Sequence, residues 1–314
     1  MIIISLCGVL CNILVMYIIL SQRKLRSGCG ILIAHLLFIN VTLCLVHMPI
    51  LSISTYFYAP YVRLGKTFCN YTILFYYSSL YTVDWAACLI SVNRYVAIFL
   101  PHHYRKCAGR YGVISMIVTG WIIAFSCNLV LFYGVGGAYQ STKPWGACGI
   151  TVSDAVTYPT VTVICVTLPV CLEGVVYLSI FAVVGLRKLI NRRRVSVADV
   201  NADVAHQHQF KKRFRVARML FCSYVWYSIC FLPAPIASSL YPVQYASLPL
   251  LQLFLRVLLV LGYATIPLIY LIMNNDYRSG LKIVGKRLRR LLGQQSFMVS
   301  VDATKSGGGS RTGS

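Results

Sequence analysis

Charge is what this sequence has least of. Only 11% of its 314 residues are charged while 58% are hydrophobic, and the mean hydropathy is +0.72. That composition cannot clothe a soluble domain in water, so the solvent is a bilayer. Acidic residues are scarcest, seven against 29 Lys and Arg. Also missing are a His-Glu-x-x-His zinc pattern, a phosphate-cradling glycine loop and a Gly-x-Ser-x-Gly nucleophile turn. His35 and His47 stand in one apolar run away from acidic ligands and read as core or interface residues. No enzyme, cofactor or metal site is expected. A seven-helix transporter, the rival class, would need paired mid-membrane charges, broken helices or a repeated half. The chain has few intramembrane charges and no visible repeat.

What is present is apolar length. Seven stretches, near 1–21, 30–53, 69–100, 112–134, 157–186, 214–241 and 248–273, are each long enough to cross about 30 Å of hydrocarbon as a helix. Backbone amides find no partners in lipid, so segments of this length must be helical, whereas barrel strands would be shorter and alternating. The expected fold is an all-α, seven-transmembrane bundle. The first span lacks a cleavable signal's small-residue exit and reads as a true span, shortened at its outer end.

Basic residues accumulate on the cytoplasmic side. All of them except Arg63, Lys66, Lys143 and Arg256 fall on one set of alternate connections or in the tail. This asymmetry puts the N-terminus outside and the C-terminus in the cytoplasm, and the +22 net charge reflects it together with attraction to anionic lipids, not nucleic acid. A polar linker is expected from about 187 to 213. Residues 275–291 alternate basic and apolar positions at helical spacing, predicting an amphipathic helix on the inner membrane surface. The receptor domain thus spans 1–291, and 292–314 reads as a disordered cytoplasmic tail.

Most of the 13 cysteines lie inside spans as small packing residues. Cys69 and Cys148 lie on the outer, oxidising side and are expected to be bridged.

Several spacings together resemble one family, the rhodopsin-like (class A) G-protein-coupled receptors. Cys69 precedes Arg94 by 25 residues, as the helix-three cysteine precedes the arginine of the family's Asp-Arg-Tyr, here Asn93-Arg94-Tyr95. Asn12 resembles the helix-one asparagine and Trp121 the helix-four tryptophan. Pro101 stands where the second inner loop usually has proline. Pro169 and Tyr177 match the helix-five pair, C-F-L-P at 230–233 resembles Cys-Trp-x-Pro, and I-P-L-I-Y at 266–270 resembles Asn-Pro-x-x-Tyr. The Asn-Arg-Tyr triplet, a His/Tyr-rich inner loop and N-x-x-Y-R after helix seven are similar to melatonin receptors and the insect orphan receptor moody.

The resemblance implies a multi-pass plasma-membrane receptor. An extracellular ligand would shift α-helix six outward and expose a cavity for a heterotrimeric G protein. Asn93, Arg94, Tyr95, Tyr177, Arg213 and Tyr270 would form that switch. Asp84, Pro169, Tyr227, Phe231, Pro233 and Pro267 would form the transmission core. Tyr76, Tyr77, Leu80, Phe231 and Arg256 would line the ligand pocket, and Asn12, Asn40 and Trp121 would be structural. Arrestin and a receptor kinase are further candidate partners, the latter at Ser296, Ser300 and Thr304.

Departures from the family pattern are informative. Asn40 replaces an acidic residue and Ile266 an asparagine, while Val83 and Gly262 stand at usually polar sites, so bound sodium should be weak or absent. A carboxylate inside a span is costly; Asp84 is expected to hydrogen-bond the Tyr227 hydroxyl, or else to be solvated by internal water. Tyr76 stands where an aminergic receptor carries aspartate, and 248–273 has no lysine for retinal, so the ligand is neither a monoamine nor retinal. Arg256 suits an anionic ligand group, unless it snorkels outward or pairs with Asp154. Both carboxylates that usually restrain the helix-three arginine are replaced, by Asn93 and Arg213. That predicts raised ligand-free activity, or an inactive state held by other contacts such as Asp84 to Tyr227. A decoy receptor that binds ligand without coupling is the alternative.

Overall fold

The computed structural model describes residues 1–26, 28–57, 65–141, 148–154, 156–193, 200–287 and 289–290. Seven helices among them are long and apolar enough to cross a membrane. We number these α1 (Ile2–Ser21), α2 (Gly28–Ile53), α3 (Lys66–Phe99), α4 (Arg110–Phe132), α5 (Thr157–Leu186), α6 (Val200–Phe231) and α7 (Pro249–Met273). A further helix, α8, follows at 275–287. The fold is an all-α, seven-transmembrane bundle with an additional helix. The tail from 291, with Ser296, Ser300 and Thr304, lies outside the described residues.

Prolines shape the spans. Pro49 and Pro169 each lack an N–H and crowd the carbonyl four residues back. The chain widens just before each of them into a π turn, Leu43–His47 and Val163–Thr167, in which Met48 and Leu168 donate five residues back to Leu43 and Val163. α6 ends just before Pro233, which opens a separate helix, Pro233–Leu240. Pro101 likewise follows the end of α3 and opens the short helix Pro101–Cys107.

The expected linker at 187–213 is much shorter than its polarity suggests. Helix continues from α5 to Arg193, and α6 begins at Val200. Lys, Arg, Gln and Ala are good helix formers, and a helix satisfies its own backbone beyond the bilayer, so hydropathy marks only where a helix leaves lipid.

Span α3 lies at the centre, against α2, α4, α5 and α6. At one end a hairpin, β1 (Gly137–Ser141) and β2 (Cys148–Val152), pairs antiparallel with Ser141 opposite Cys148. The Cys69–Cys148 disulfide ties this hairpin to the start of α3. Buried Tyr139 donates its hydroxyl to the Asn128 backbone and side-chain oxygens, both at 3.1 Å, fastening the hairpin to α4. Gly136 enters the hairpin at φ 77°, with Thr157 packed where a Cβ would stand. Asp154 accepts from the Thr157 amide and hydroxyl at 2.6 and 2.7 Å and from the Val156 amide at 3.0 Å, capping the start of α5. At the opposite, basic end, α8 docks on α1: Lys24 pairs with Asp276 at 2.7 Å, the one ion pair among the described residues.

Candidate functional site

The basic end of α3 carries the most organised polar cluster. Arg94 is only 6% exposed, an expensive place for a guanidinium unless its donors are used. Its Nη2 donates to Asn93 Oδ1 at 2.8 Å and to the Tyr104 hydroxyl at 2.9 Å. The guanidinium also lies 5.6 Å from the Tyr104 ring centre. Arg94 Nε and Asn93 Nδ2 have no partner. Tyr104 is delivered by the helix that Pro101 starts, one turn beyond the end of α3.

Arg213 reaches the same cluster from α6. Its Nη1 donates to the Ala97 carbonyl at 2.6 Å, and its guanidinium lies 5.6 Å from the same Tyr104 ring. Buried Tyr177, from α5, and Tyr277, from α8, lie within electrostatic reach of Arg94. Tyr270 is buried beside Tyr277, with ring centres 6.1 Å apart. Tyr95 differs: it is 36% exposed and packs on Phe99, turned away from these groups. Tyr104 and Ala97 were not singled out from the sequence. The signal was available, since Tyr104 lies three residues past a helix-opening proline and ten past Arg94.

Deeper in the bundle, Asp84 is 1% exposed. Tyr227 is its nearest polar partner, yet neither carboxyl oxygen nor the Tyr227 hydroxyl makes a hydrogen bond. The expected Asp84–Tyr227 pair is thus brought together as a close polar contact that falls short of full hydrogen-bond geometry. Tyr227 stacks on Phe231 at 5.1 Å, 11° from parallel, and against Tyr263 at 5.9 Å. Glu173 is a second buried carboxyl facing this region from α5. Pro169 follows the wide turn of α5, Pro233 opens the short helix after α6, and Pro267 lies inside α7. Trp226 Nε1 donates to Thr265 Oγ1 at 2.7 Å, joining α6 to α7.

Towards the disulfide end, Tyr76 and Tyr77 meet edge-on at 5.1 Å, and His47 tilts over Tyr76 at 5.9 Å. Half-buried Arg256 lies within electrostatic reach of both tyrosines. It has no ion pair among the described residues. The pairing with Asp154 is not formed, since that carboxylate is committed to Thr157 and Val156. Leu80 and Phe231 are buried nearer the middle of the bundle.

Three further residues fasten helices together or stand between them. Asn12 Nδ2 donates to the Gly8 and Tyr263 carbonyls at 2.8 and 3.1 Å, joining α1 to α7. Trp121 Nε1 donates to His35 Nε2 at 3.0 Å, joining α4 to α2. Asn40 is fully buried with both side-chain polar atoms unpartnered. No cluster of three or more His, Cys, Asp or Glu suited to a metal exists among the described residues.

Comparison with known proteins gives a consistent result. Human G-protein coupled receptor 84 is 27% identical over 122 residues, 39% of this chain and 30% of that receptor. Rat trace amine-associated receptor 7a is 26% identical over 223 residues, 68% of this chain and 60% of the relative. Guinea pig substance-P receptor is 22% identical over 288 residues, 86% and 66% respectively. The matched regions thus span from about a third to two thirds of these relatives' own length. The model of the seven-transmembrane receptor, rhodopsin family, matches residues 11–270. That match runs from the middle of α1 to near the end of α7, well over half of the chain, so the chain belongs to the rhodopsin family of seven-transmembrane receptors, a family of receptors and not of enzymes.

Proposed function

We propose that this protein binds an extracellular ligand at its disulfide end and activates heterotrimeric G proteins at its basic end, through outward movement of α6. The observation that carries this reading is the basic mouth: a buried arginine on α3, Arg94, held by Tyr104 of the short helix after α3, beside an Arg213 contact from α6 to the Ala97 carbonyl that outward movement of α6 would break. Tyr177 and Tyr270 would take over the freed guanidinium, while Asp84, Pro169, Tyr227, Phe231, Pro233 and Pro267 relay the ligand's effect. The charge asymmetry supports a plasma-membrane receptor with the N-terminus outside, the C-terminus in the cytoplasm, and 1–291 as the receptor domain. Arrestin, a receptor kinase and anionic lipids are the further partners this reading implies.

The ligand site comprises Tyr76, Tyr77, Leu80, Phe231 and Arg256. Half-buried Arg256, without an ion-pair partner among the described residues, supports a ligand bearing a carboxylate or phosphate. Although several relatives are named for trace amines, Tyr76 occupies the position of the aminergic aspartate and offers a monoamine no carboxylate. Retinal is excluded by the lack of a lysine in α7. Within the family, the Asn-Arg-Tyr triplet and N-x-x-Y-R support a likeness to melatonin receptors and moody. The test is nucleotide exchange on a panel of Gα subunits by the reconstituted receptor during a ligand screen. No exchange with any Gα under any ligand, with arrestin still recruited, would replace this reading with that of a decoy receptor.

A further inference from the structure

The family's usual restraint at this mouth sets an acidic residue of helix six against the arginine of helix three. Here no carboxylate faces the mouth among the described residues; its polar groups are Arg94, Arg213, Asn93, Tyr104, the Cys29 thiol, the Tyr177 and Tyr277 hydroxyls and the backbone. The closing contact has the opposite sign. In an α-helix the Ala97 carbonyl would accept from the N–H four residues on, but residue 101 is proline and has none. This leaves an unmatched carbonyl at the negative end of the α3 dipole, which favours a cation. Arg213 supplies one at 2.6 Å. Arg94 and Arg213 would repel each other across so small a mouth, but both face the π-cloud of Tyr104 at 5.6 Å, and the Tyr104 hydroxyl accepts from Arg94.

We propose that the closed state is held by a lock of inverted polarity: Pro101 frees the Ala97 carbonyl, Arg213 of α6 occupies it, and Tyr104 positions both arginines. The inference rests on the reading that α6 opens at this end, and it names the contacts that opening must break. It also accounts for a closed mouth in a chain whose Asn93 and Arg213 remove both usual carboxylates.

The test uses the full-length receptor in nanodiscs without ligand, read in parallel by hydrogen exchange of the basic ends of α3 and α6 and by nucleotide exchange on Gα. Arg213→Ala and Tyr104→Phe should each speed hydrogen exchange at the basic end of α6 by about tenfold, while Arg213→Lys, which keeps a donor to the carbonyl, should fall between Ala and the parent. Pro101→Ala is the sharpest variant. It restores an N–H able to take the Ala97 carbonyl internally, so α6 should loosen although no α6 residue has changed. A residue that merely stabilised the turn would, on gaining that hydrogen bond, leave α6 unchanged or tighter. Parent-like exchange in α1 and α4 establishes that each variant is folded. Unchanged α6 exchange in Arg213→Ala and Pro101→Ala would overturn the lock. Faster α6 exchange with no rise in ligand-free Gα turnover would leave the lock standing and count against the G-protein reading instead.

Discussion

Replacing Asn93 by aspartate should quiet the receptor, and the structure gives the size of the effect. Asn93 Oδ1 already accepts from Arg94 Nη2, while Asn93 Nδ2 and Arg94 Nε are both buried without partners. An aspartate removes the orphan amide donor and supplies a second oxygen for the orphan Nε, turning one neutral-acceptor bond into a two-point, charge-assisted contact. Hydrogen bonds to charged groups exceed neutral ones by about 1 kcal/mol, and relieving a buried unpaired donor adds a comparable amount. Because Arg94 is only 6% exposed, solvent screening takes back less of this than at the surface. The closed state should gain about 1 to 2 kcal/mol, lowering the open-to-closed ratio roughly five- to thirtyfold. The assay is the ligand-free rate of nucleotide exchange on Gα at matched receptor density, with ligand-driven exchange as the control for coupling. A ligand-free rate that rises or stays level would refute the reasoning, because it would mean that Asn93 does not restrain Arg94 in the resting receptor.

Other perturbations should behave distinctly. Arg256→Gln should weaken the response to an anionic agonist at least tenfold in a concentration–response curve, and an intact response would remove the anionic-ligand reading. Cys69→Ser opens the only described link between the hairpin and α3 that is covalent, and should cost about 2 to 5 kcal/mol in thermal unfolding while impairing ligand binding. Asp84→Leu removes a carboxyl whose two oxygens have no hydrogen-bond partner and should leave thermal stability equal or higher; a loss of several degrees would show a partner there. Asp154 is held below the usual carboxylate range by the Thr157 hydroxyl and amide. Its cap is therefore fully present above the ordinary carboxylate pKa and is lost as pH falls through its lowered value, which faster amide exchange at Val156 and Thr157 in acid would report.

Seven spans could be read from apolar length because a bilayer allows a backbone few solutions. The pairing of Cys69 with Cys148 followed from the side of the membrane each occupies. The same logic misjudged residues 187–213, since hydropathy reports where a helix leaves lipid and carries little about where it ends. Asp84 and Tyr227 were correctly brought near one another, but whether two buried groups hydrogen-bond depends on ring packing a few tenths of an ångström deep, set here by Phe231 and Tyr263. The Arg213 contact with Ala97 escaped notice for a related reason. A donor to a backbone carbonyl has no partner side chain to find in the sequence, and Ala97 shows nothing until the proline four residues later is read as a missing N–H.

The hairpin beneath the disulfide has a mechanical meaning. One bridge to α3, one tyrosine to α4 and the Gly136–Thr157 contact at the mouth of α5 cross-brace three consecutive helices at a single end, as guy wires brace a mast. None of these fastenings reaches α6 or α7, which are joined to each other through Trp226 and Thr265. The hairpin therefore braces α3, α4 and α5 against one another at this end, while α6 is held through α7, which Asn12 ties in turn to α1.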